Sequence, residues 1–209
     1  MPRVTDIRER RGRVRVYVDG EFWAEVDAGT VTECGLYEGA ALSHEELRAA
    51  RAAGERALAM ARALILLSYR DRSNKEIRQR LGRFGYADET VELVVARLEE
   101  LGYLDDEQYA RNLAREKARK YGPRRVYGDL RKGGLDEATA WEVVEEEFSG
   151  RSESDEAFEA AARRYNSREG SDAQARRVYG FLMRRGYSAE VCAEVARRYR
   201  EPSSSGAGE

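Results

Sequence analysis

Few residues in this 209-residue chain are able to do covalent or metal chemistry: one histidine, His44, two cysteines, Cys34 and Cys192, and the adjacent carboxylates Asp105 and Asp106. A structural zinc ion takes four closely spaced His, Cys or carboxylate ligands, and one His with two isolated Cys falls short of that set. His44 sits inside Ser43-His44-Glu45-Glu46. A Ser followed three residues later by Glu reads as the capping box that opens a helix, so His44 is a solvated helix-start residue rather than a general base. Asp105 with Gln108 reads as an acidic variant of the same box. Neither Gly-x-x-x-x-Gly-Lys nor Gly-x-Gly-x-x-Gly occurs, so no nucleotide cradle is expected. No catalytic residue, metal or cofactor is expected, and the chain reads as a non-enzymatic binding protein.

Its binding chemistry must then be carried by charge. Lys plus Arg (37) and Asp plus Glu (39) nearly cancel to −2, so a polyanionic partner requires cations clustered locally. They are clustered. Between residues 108 and 133 stand Arg111, Arg115, Lys117, Arg119, Lys120, Arg124, Arg125, Arg131 and Lys132, against only Glu116 and Asp129. Arg72 and Arg78 lie in a basic stretch upstream, and Arg163, Arg164, Arg176, Arg177, Arg184 and Arg185 lie in another downstream. Acids concentrate elsewhere, as at Glu89, Glu92, Glu99 and Glu100, then Glu142, Glu145, Glu146 and Glu147.

Two readings compete. Intramolecular pairing across solvated faces explains most of these charges singly, at about 0–1 kcal/mol per exposed pair. Recurrence of the basic stretch at three corresponding places points instead to a positive stripe suited to a DNA backbone, or to the groove of a filament that carries DNA. Arg115, Arg119, Lys120, Arg124, Arg125, Arg131 and Lys132 are the first candidates for contact, with Arg72, Arg78, Arg163, Arg164, Arg176, Arg177, Arg184 and Arg185 extending it. Tyr121 and Tyr127, beside the central cluster, are the aromatics placed to do more than pack.

The elements that position these residues are legible from pattern. Arg13–Val18 and Glu21–Val26 alternate polar and apolar around Asp19-Gly20, the strongest short hairpin signal, and residues 4–8 suggest a third strand. From Ser43 the pattern turns helical to about Tyr69, with Gly54 read as a division into two helices and Ala57, Met60, Ala61, Leu64 and Leu67 as its apolar face. A repeat follows, Leu-x-x-x-Gly-(Tyr/Leu), at Leu81–Tyr86, Leu130–Leu135 and Leu182–Tyr187, preceded four residues earlier by Ile77, Val126 or Val178. Each glycine suits the left-handed position that ends a helix. Asp88, Asp136 and Ser188 are read as the caps of the next helix. Helix A of each unit is read as packing through Met60/Leu64/Leu67, Tyr109/Leu113 and Phe158/Ala162/Tyr165.

These patterns predict a mainly α chain of three tandem three-helix repeats in an elongated curved array, preceded by a small N-terminal β-hairpin element. The expected boundaries are 1–42 for the β leader, 43–102, 103–149 and 150–200 for the three units, and 201–209 for a disordered tail. Ser149 to Ser152 reads as a linker. A charged fraction of 36% against 42% hydrophobic suits thin helical units rather than one thick core. Two unpaired cysteines favour a reducing compartment. The start MPRVTDIRERRGRV lacks an apolar signal region, and the longest apolar run, near 63–67, is too short for a bilayer, so a cytoplasmic protein without membrane contact is expected. A monomer is the simpler expectation.

Three linked motifs carry a family resemblance: Arg72-Ser73-x-x-Glu76-Ile77-x-x-Arg80-Leu81, Leu98-x-x-Leu101-Gly102-Tyr103-Leu104-Asp105-Asp106-x-x-Tyr109-Ala110, and Gly122-Pro123-x-Arg125-Val126-x-x-Asp129-Leu130-x-x-x-Gly134-Leu135. In this order they resemble the RecX regulatory proteins, over about 57–148 and, with weaker motifs, on to residue 199. The resemblance implies a modulator that binds the RecA–DNA nucleoprotein filament along its groove and restrains recombinase, ATPase and coprotease activity in DNA repair and the SOS response. It carries no catalytic residues. The third unit departs from the pattern, with Gly170-Ser171 in place of Gly-Pro. A sequence-tolerant protein that binds single- or double-stranded DNA through helix-turn-helix-like units, without RecA, is the competing reading.

Overall fold

The computed structural model describes residues 1–165 and 170–200. Three strands, β1 (Val4–Arg10), β2 (Arg13–Val18) and β3 (Glu21–Val26), form an antiparallel sheet in the order β1-β2-β3. Asp19 (φ 50°) and Gly20 (φ 87°) take the two left-handed positions that the β2–β3 hairpin needs. Arg11 (φ 54°) and Gly12 (φ 74°) do the same between β1 and β2, a turn that the sequence pattern does not flag because arginine rarely adopts that conformation. Val4, Val14, Val16, Ala24 and Val26 point to one buried face.

Ten helices follow among the described residues: α1 (Ala28–Glu33), α2 (His44–Tyr69), α3 (Asn74–Arg83), α4 (Asp88–Glu100), α5 (Asp106–Ala118), α6 (Pro123–Gly133), α7 (Glu137–Phe148), α8 (Glu153–Ala162), α9 (Asp172–Arg185) and α10 (Ala189–Arg198). The chain forms two compact units, Met1–Asp105 and Asp106–Glu209. The first joins the sheet, α1 and the α2–α3–α4 bundle. The second holds two further bundles, α5–α6–α7 and α8–α9–α10, each with its own buried cluster. The expected tail, 201–209, lies outside the described residues.

The repeat is the skeleton of all three bundles. Ile77 and Leu81, Val126 and Leu130, and Val178 and Leu182 are each fully buried at matching positions. Gly85 (φ 88°), Gly134 (φ 110°) and Gly186 (φ 86°) end α3, α6 and α9 in left-handed backbone. Val91/Val94, Ala140/Val143 and Cys192/Val195 close the cores from the third helix.

Helix A packs through the expected faces except at Leu64 and Ala162, which are exposed, and its centre is smaller than expected. The most deeply buried positions are alanines spaced by four, Ala59/Ala63, Ala110/Ala114 and Ala157/Ala161, all fully buried, and Met60, Leu67, Tyr109, Leu113, Phe158 and Tyr165 pack against the same clusters as expected. Leu64 is 37% exposed and Met60, Tyr109, Leu113 and Phe158 are half-buried, while Ala162 is exposed. A pair of methyl groups on one face lets helix A approach its bundle closely, and the larger side chains then seal the flanks. Gly54 does not divide α2 either. It lies inside one continuous helix, where a Cβ would stand 2.4 Å from Val26 Cγ1, so the missing side chain lets α2 cross the end of the sheet.

The capping reads mostly as expected. Ser43 and Glu46 complete a capping box, with Ser43 N–H donating to the Glu46 carboxylate (2.7 Å) and Glu46 N–H to Ser43 Oγ (3.2 Å). Asp136 and Ser188 cap α7 and α10. Asp88 does not cap α4. The cap is Ala87, whose N–H donates instead to the Glu55 carboxylate (2.9 Å) from α2. Ser149 to Ser152 connects α7 to α8 in a tight turn: Gly150 is left-handed (φ 71°), and Arg151 lies over the Phe148 ring and pairs with Glu147 (3.2 Å) and Glu156.

Both cysteines are free; Cys34 is half-buried and Cys192 is buried in the third bundle. Burial, helped by the Glu153 carboxylate, pushes the Cys192 thiol up to about 11. Because the thiolate is the nucleophile, iodoacetamide at pH 8 should alkylate Cys34 alone in the native protein and reach Cys192 only after unfolding in urea. Mass spectrometry before and after urea checks this, and a doubly alkylated native protein would contradict it. Among the described residues no helix is long and apolar enough to cross a membrane.

Candidate polyanion-binding groove

Gly122-Pro123 ends the α5–α6 turn and starts α6 with proline at its first helical position, where the missing N–H costs nothing. No side chain caps this start. Backbone carbonyls do: Gly122 N–H donates to the Arg185 carbonyl (2.9 Å) and Arg124 N–H to the Gly186 carbonyl (3.1 Å). The Arg185 guanidinium returns a bond to the Lys120 carbonyl (2.7 Å). The A-to-B turn of the second bundle is therefore fastened to the B-to-C turn of the third.

This junction gathers four of the expected contact residues, Arg119, Lys120, Arg163 and Arg185, along one groove of about 130 Å³. Arg151, Glu156 and Glu159 also line it, so five cations face two carboxylates. Glu159 is taken by Arg163 (3.1 Å) and Glu156 by Arg151. Arg185 lies over the Phe181 ring at 4.8 Å, fixed by stacking and by its carbonyl bond. Among the described residues Arg119 and Lys120 pair with no carboxylate. Burial beside Glu156 pushes the Tyr187 phenol up, so the buried ring in the groove wall stays a neutral hydroxyl.

Not all the expected residues belong to this site. Arg115 stands exposed on α5, with no carboxylate partner among the described residues. Arg124 and Arg131 flank Tyr127 on α6, and Tyr127 stacks on the half-exposed Trp141 (centroids 4.3 Å apart). Arg131 donates to the Leu135 carbonyl (2.6 Å), closing the end of α6. Arg125 and Lys132 both lean on Asp129, at 3.3 and 3.8 Å, and Arg125 lies over Tyr121. On α9, Arg176 donates to the Asp172 carbonyl (3.3 Å), whereas Arg177 and Arg184 make no ion pair among the described residues. Arg164 covers Phe181 at 5.3 Å.

In the first unit the two expected arginines do structural work. Arg72 is half-buried and donates to the Leu66 carbonyl (3.0 Å), holding the end of α2. Arg78 Nε donates to both carboxylate oxygens of Glu92 (2.9 and 3.0 Å), the basic-to-acidic helix pairing that charge alternation suggested. In the second bundle Arg111 pairs across to Glu146 of α7 (3.8 Å) and along its own helix to Glu107 (3.3 Å). The sequence reading missed Arg151 as a groove residue. Its signal was present in the Glu147–Arg151 spacing of four, which pairs two charges across one helical turn.

Three family models match in chain order: RecX, first three-helix domain, over residues 59–98; RecX, second three-helix domain, over 105–143; and RecX, third three-helix domain, over 152–196. A regulatory protein RecX of Lactobacillus johnsonii is 31% identical over 156 residues, covering 71% of this chain and 58% of its own length. One from Clostridium perfringens is 26% identical over 209 residues, covering 95% of this chain and 96% of its own. The chain thus spans a little over half the length of the Lactobacillus relative and nearly all of the clostridial one. A crystal structure described as regulatory protein RecX superimposes with a TM-score of 0.63 at 23% identity, covering 94% of this chain and all of that one. The RecX structure from Lactobacillus salivarius gives 0.58 at 21% identity, over 70% of this chain and 97% of its own. At such identities the two structures speak for the fold.

Proposed function

The chain belongs to the RecX family of regulatory proteins, and from that premise we propose that it binds the RecA–DNA filament and restrains RecA's recombinase, ATPase and coprotease activities. The observation that carries this reading is the junction groove, where Arg119 and Lys120, with no carboxylate partner among the described residues, share the lining with Arg163 and Arg185. Cations already spent on carboxylates add little to polyanion binding, whereas unpaired ones release a counterion for each phosphate they meet. Arg115, Arg124, Arg177 and Arg184 extend the same chemistry. The acidic faces of α4 and α7 supply the opposite sign for basic patches on a protein partner and would set orientation.

The test is RecA's DNA-dependent ATPase, measured as this protein is added to several-fold excess over filament sites. Steady-state hydrolysis should fall progressively, and more steeply at low salt. An unchanged rate across that range sinks the reading. Tight binding to duplex DNA without RecA, alongside an unchanged ATPase, would favour the sequence-tolerant DNA-binding alternative.

A further inference from the structure

The N-terminal sheet has two edges, and β3 forms the one that opens onto a groove. The outer side of β1 is taken at its start, where Val4 N–H donates to the Ala40 carbonyl (2.9 Å) and Gly39 N–H to the Val4 carbonyl (2.8 Å). Among the described residues no backbone segment pairs with the outer side of β3. Two hollows, of about 490 and 480 Å³, share Phe22, Trp23 and Arg51 and run along that edge. Ala24 of the buried face and Glu25 of the outer face line the same hollow, so it wraps around the free rim of the strand. The opposite wall is α2, where Arg48, Arg51, Leu58 and Arg62 recur at spacings that place them on one side of the helix. From Arg48 to Arg62 that wall runs about 21 Å at 1.5 Å per residue. The six residues of β3 extend about 20 Å, so the two walls match in length.

An open strand edge presents N–H and C=O groups at a fixed repeat, and the ligand that satisfies both in register is another extended backbone. A helix facing the edge adds what a bare edge lacks, a second wall that selects side chains. The lining is balanced in charge, four arginines against four carboxylates, so it favours neither a polyanion nor a polycation. The exposed rings are not open stacking platforms either, since Arg15 covers Phe22 (5.9 Å) and Arg62 covers Phe84 (4.6 Å). What they leave free are rims, against which aliphatic side chains pack. Most of the carboxylates are engaged: Glu25 with Arg13 (2.8 Å), Glu55 with the Ala87 amide (2.9 Å) and Asp19 with the Arg3 amide (2.9 Å). Arg48 and Arg51, both exposed on α2, pair with no carboxylate among the described residues, which leaves a place for an acidic side chain on that wall.

We propose that this groove takes up an extended peptide segment of a partner protein as a fourth strand on β3, over about five residues. Aliphatic side chains at alternate positions pack on the rims of Phe22 and Trp23, and an acidic side chain between them faces Arg48 and Arg51. The bulge that sets Trp23 out of register with β2, and the charges of Glu21 and Glu25, keep the edge from pairing with any strand it meets. The site lies within the first unit and uses none of the junction cations, so it stands apart from the filament reading.

Trp23 reports on the site directly. The chain has two tryptophans, so Trp141→Phe leaves Trp23 as the sole indole. The probes are end-blocked peptides Ser-Val-X-Val-X-Val-Ser, with X as Glu, Thr or Lys, added with RecA and nucleic acid absent. The Glu peptide should shift the Trp23 emission and bind about fivefold more tightly than the Lys peptide, the scale of exposed ion pairs. Arg48→Glu with Arg51→Glu should reverse that order, with circular dichroism checking that the variant folds. Methylating one alternating set of peptide amides should weaken binding at least about tenfold, because several backbone hydrogen bonds are lost together, while methylating the other set should not. That asymmetry marks pairing along one edge. Arg119→Glu with Lys120→Glu should bind the Glu peptide as the parent does, so failure here and failure of the filament reading show separately. The proposal is overturned if no peptide shifts the emission, if the two sets of methylated amides behave alike, or if Lys and Glu peptides bind equally. Emission that changes with protein concentration alone, together with sedimentation as a dimer, would give the edge to a second copy of the chain and overturn it as well.

Discussion

Gly186→Ala should be among the most destabilising single-methyl changes available in this protein, costing about 3 kcal/mol. Two effects add. Gly186 has φ of 86°, where an L side chain costs about 1–2 kcal/mol. Its added Cβ would stand 2.3 Å from Arg125 Cβ and 2.4 Å from Arg125 N, a clash with the first turn of α6 that no side-chain rotation relieves. Overpacking of that kind costs about a further 1–3 kcal/mol. The matched control is Gly85→Ala at the same repeat position in the first bundle. There φ is 88°, but the new Cβ meets nothing within 4 Å, so only the backbone cost applies. Urea denaturation should separate the two variants by more than 1 kcal/mol. Hydrogen exchange should show why, because Gly122 and Arg124 donate to the Arg185 and Gly186 carbonyls, and those two amides should lose protection first. Equal destabilisation of the two variants would mean that the junction is not held as described.

The contrast between those glycines shows what a repeat in sequence conveys and what it does not. The leucine, the glycine and the aliphatic four residues upstream recur because each bundle solves the same local problem: a buried second helix must stop and turn sharply. Such requirements repeat at a fixed spacing and were visible in the chain. What Gly186 touches depends on Arg125, distant in sequence, and nothing near either residue announces the meeting. The junction groove escaped for the same reason. Arg119 and Lys120 were expected as contacts on density alone, and Arg163 and Arg185 for recurrence, but their convergence is a tertiary fact.

Helix A was legible only in part. Weighting residues by hydrophobicity favours Met60, Leu64 and Tyr109 over alanine, yet the limiting quantity in a thin bundle is the distance between helix axes. Ala59/Ala63, Ala110/Ala114 and Ala157/Ala161 set that distance, and the large residues one position away are pushed to the rim. Gly54 belongs to the same class, since absence of a side chain against Val26 is a packing requirement that reads in sequence as a helix breaker. The arginines misled by being alike. Arg72 and Arg131 close helix ends on carbonyl oxygens, Arg78 is held by Glu92, and Arg119 is unpaired among the described residues. A charge count cannot tell these apart.

That distinction sets the second large effect, on binding rather than stability. Arg119→Glu with Lys120→Glu should weaken association with the RecA–DNA filament by at least about 60-fold in 0.1 M salt. Each phosphate contact contributes about 0.9 to the slope of log affinity against log salt, which at 0.1 M is about eightfold per contact, and two are lost. The salt slope should fall by about 2, and the concentration that half-inhibits RecA's ATPase should rise by the same factor as the affinity falls. Arg125→Glu with Lys132→Glu makes an identical change in net charge but removes cations that already share Asp129, at 3.3 and 3.8 Å. That variant should lose clearly less affinity and keep most of the slope. If the two double variants fall equally, net charge alone drives binding and the groove has no special part in it. If only the first falls, the cations left unpaired at the junction are the ones that meet the polyanion, and their position beside the backbone bonds from Gly122 and Arg124 makes binding depend on how the two bundles are fastened. Gly186→Ala should then impair filament binding even where the protein remains folded, through loosened geometry and with no charge removed.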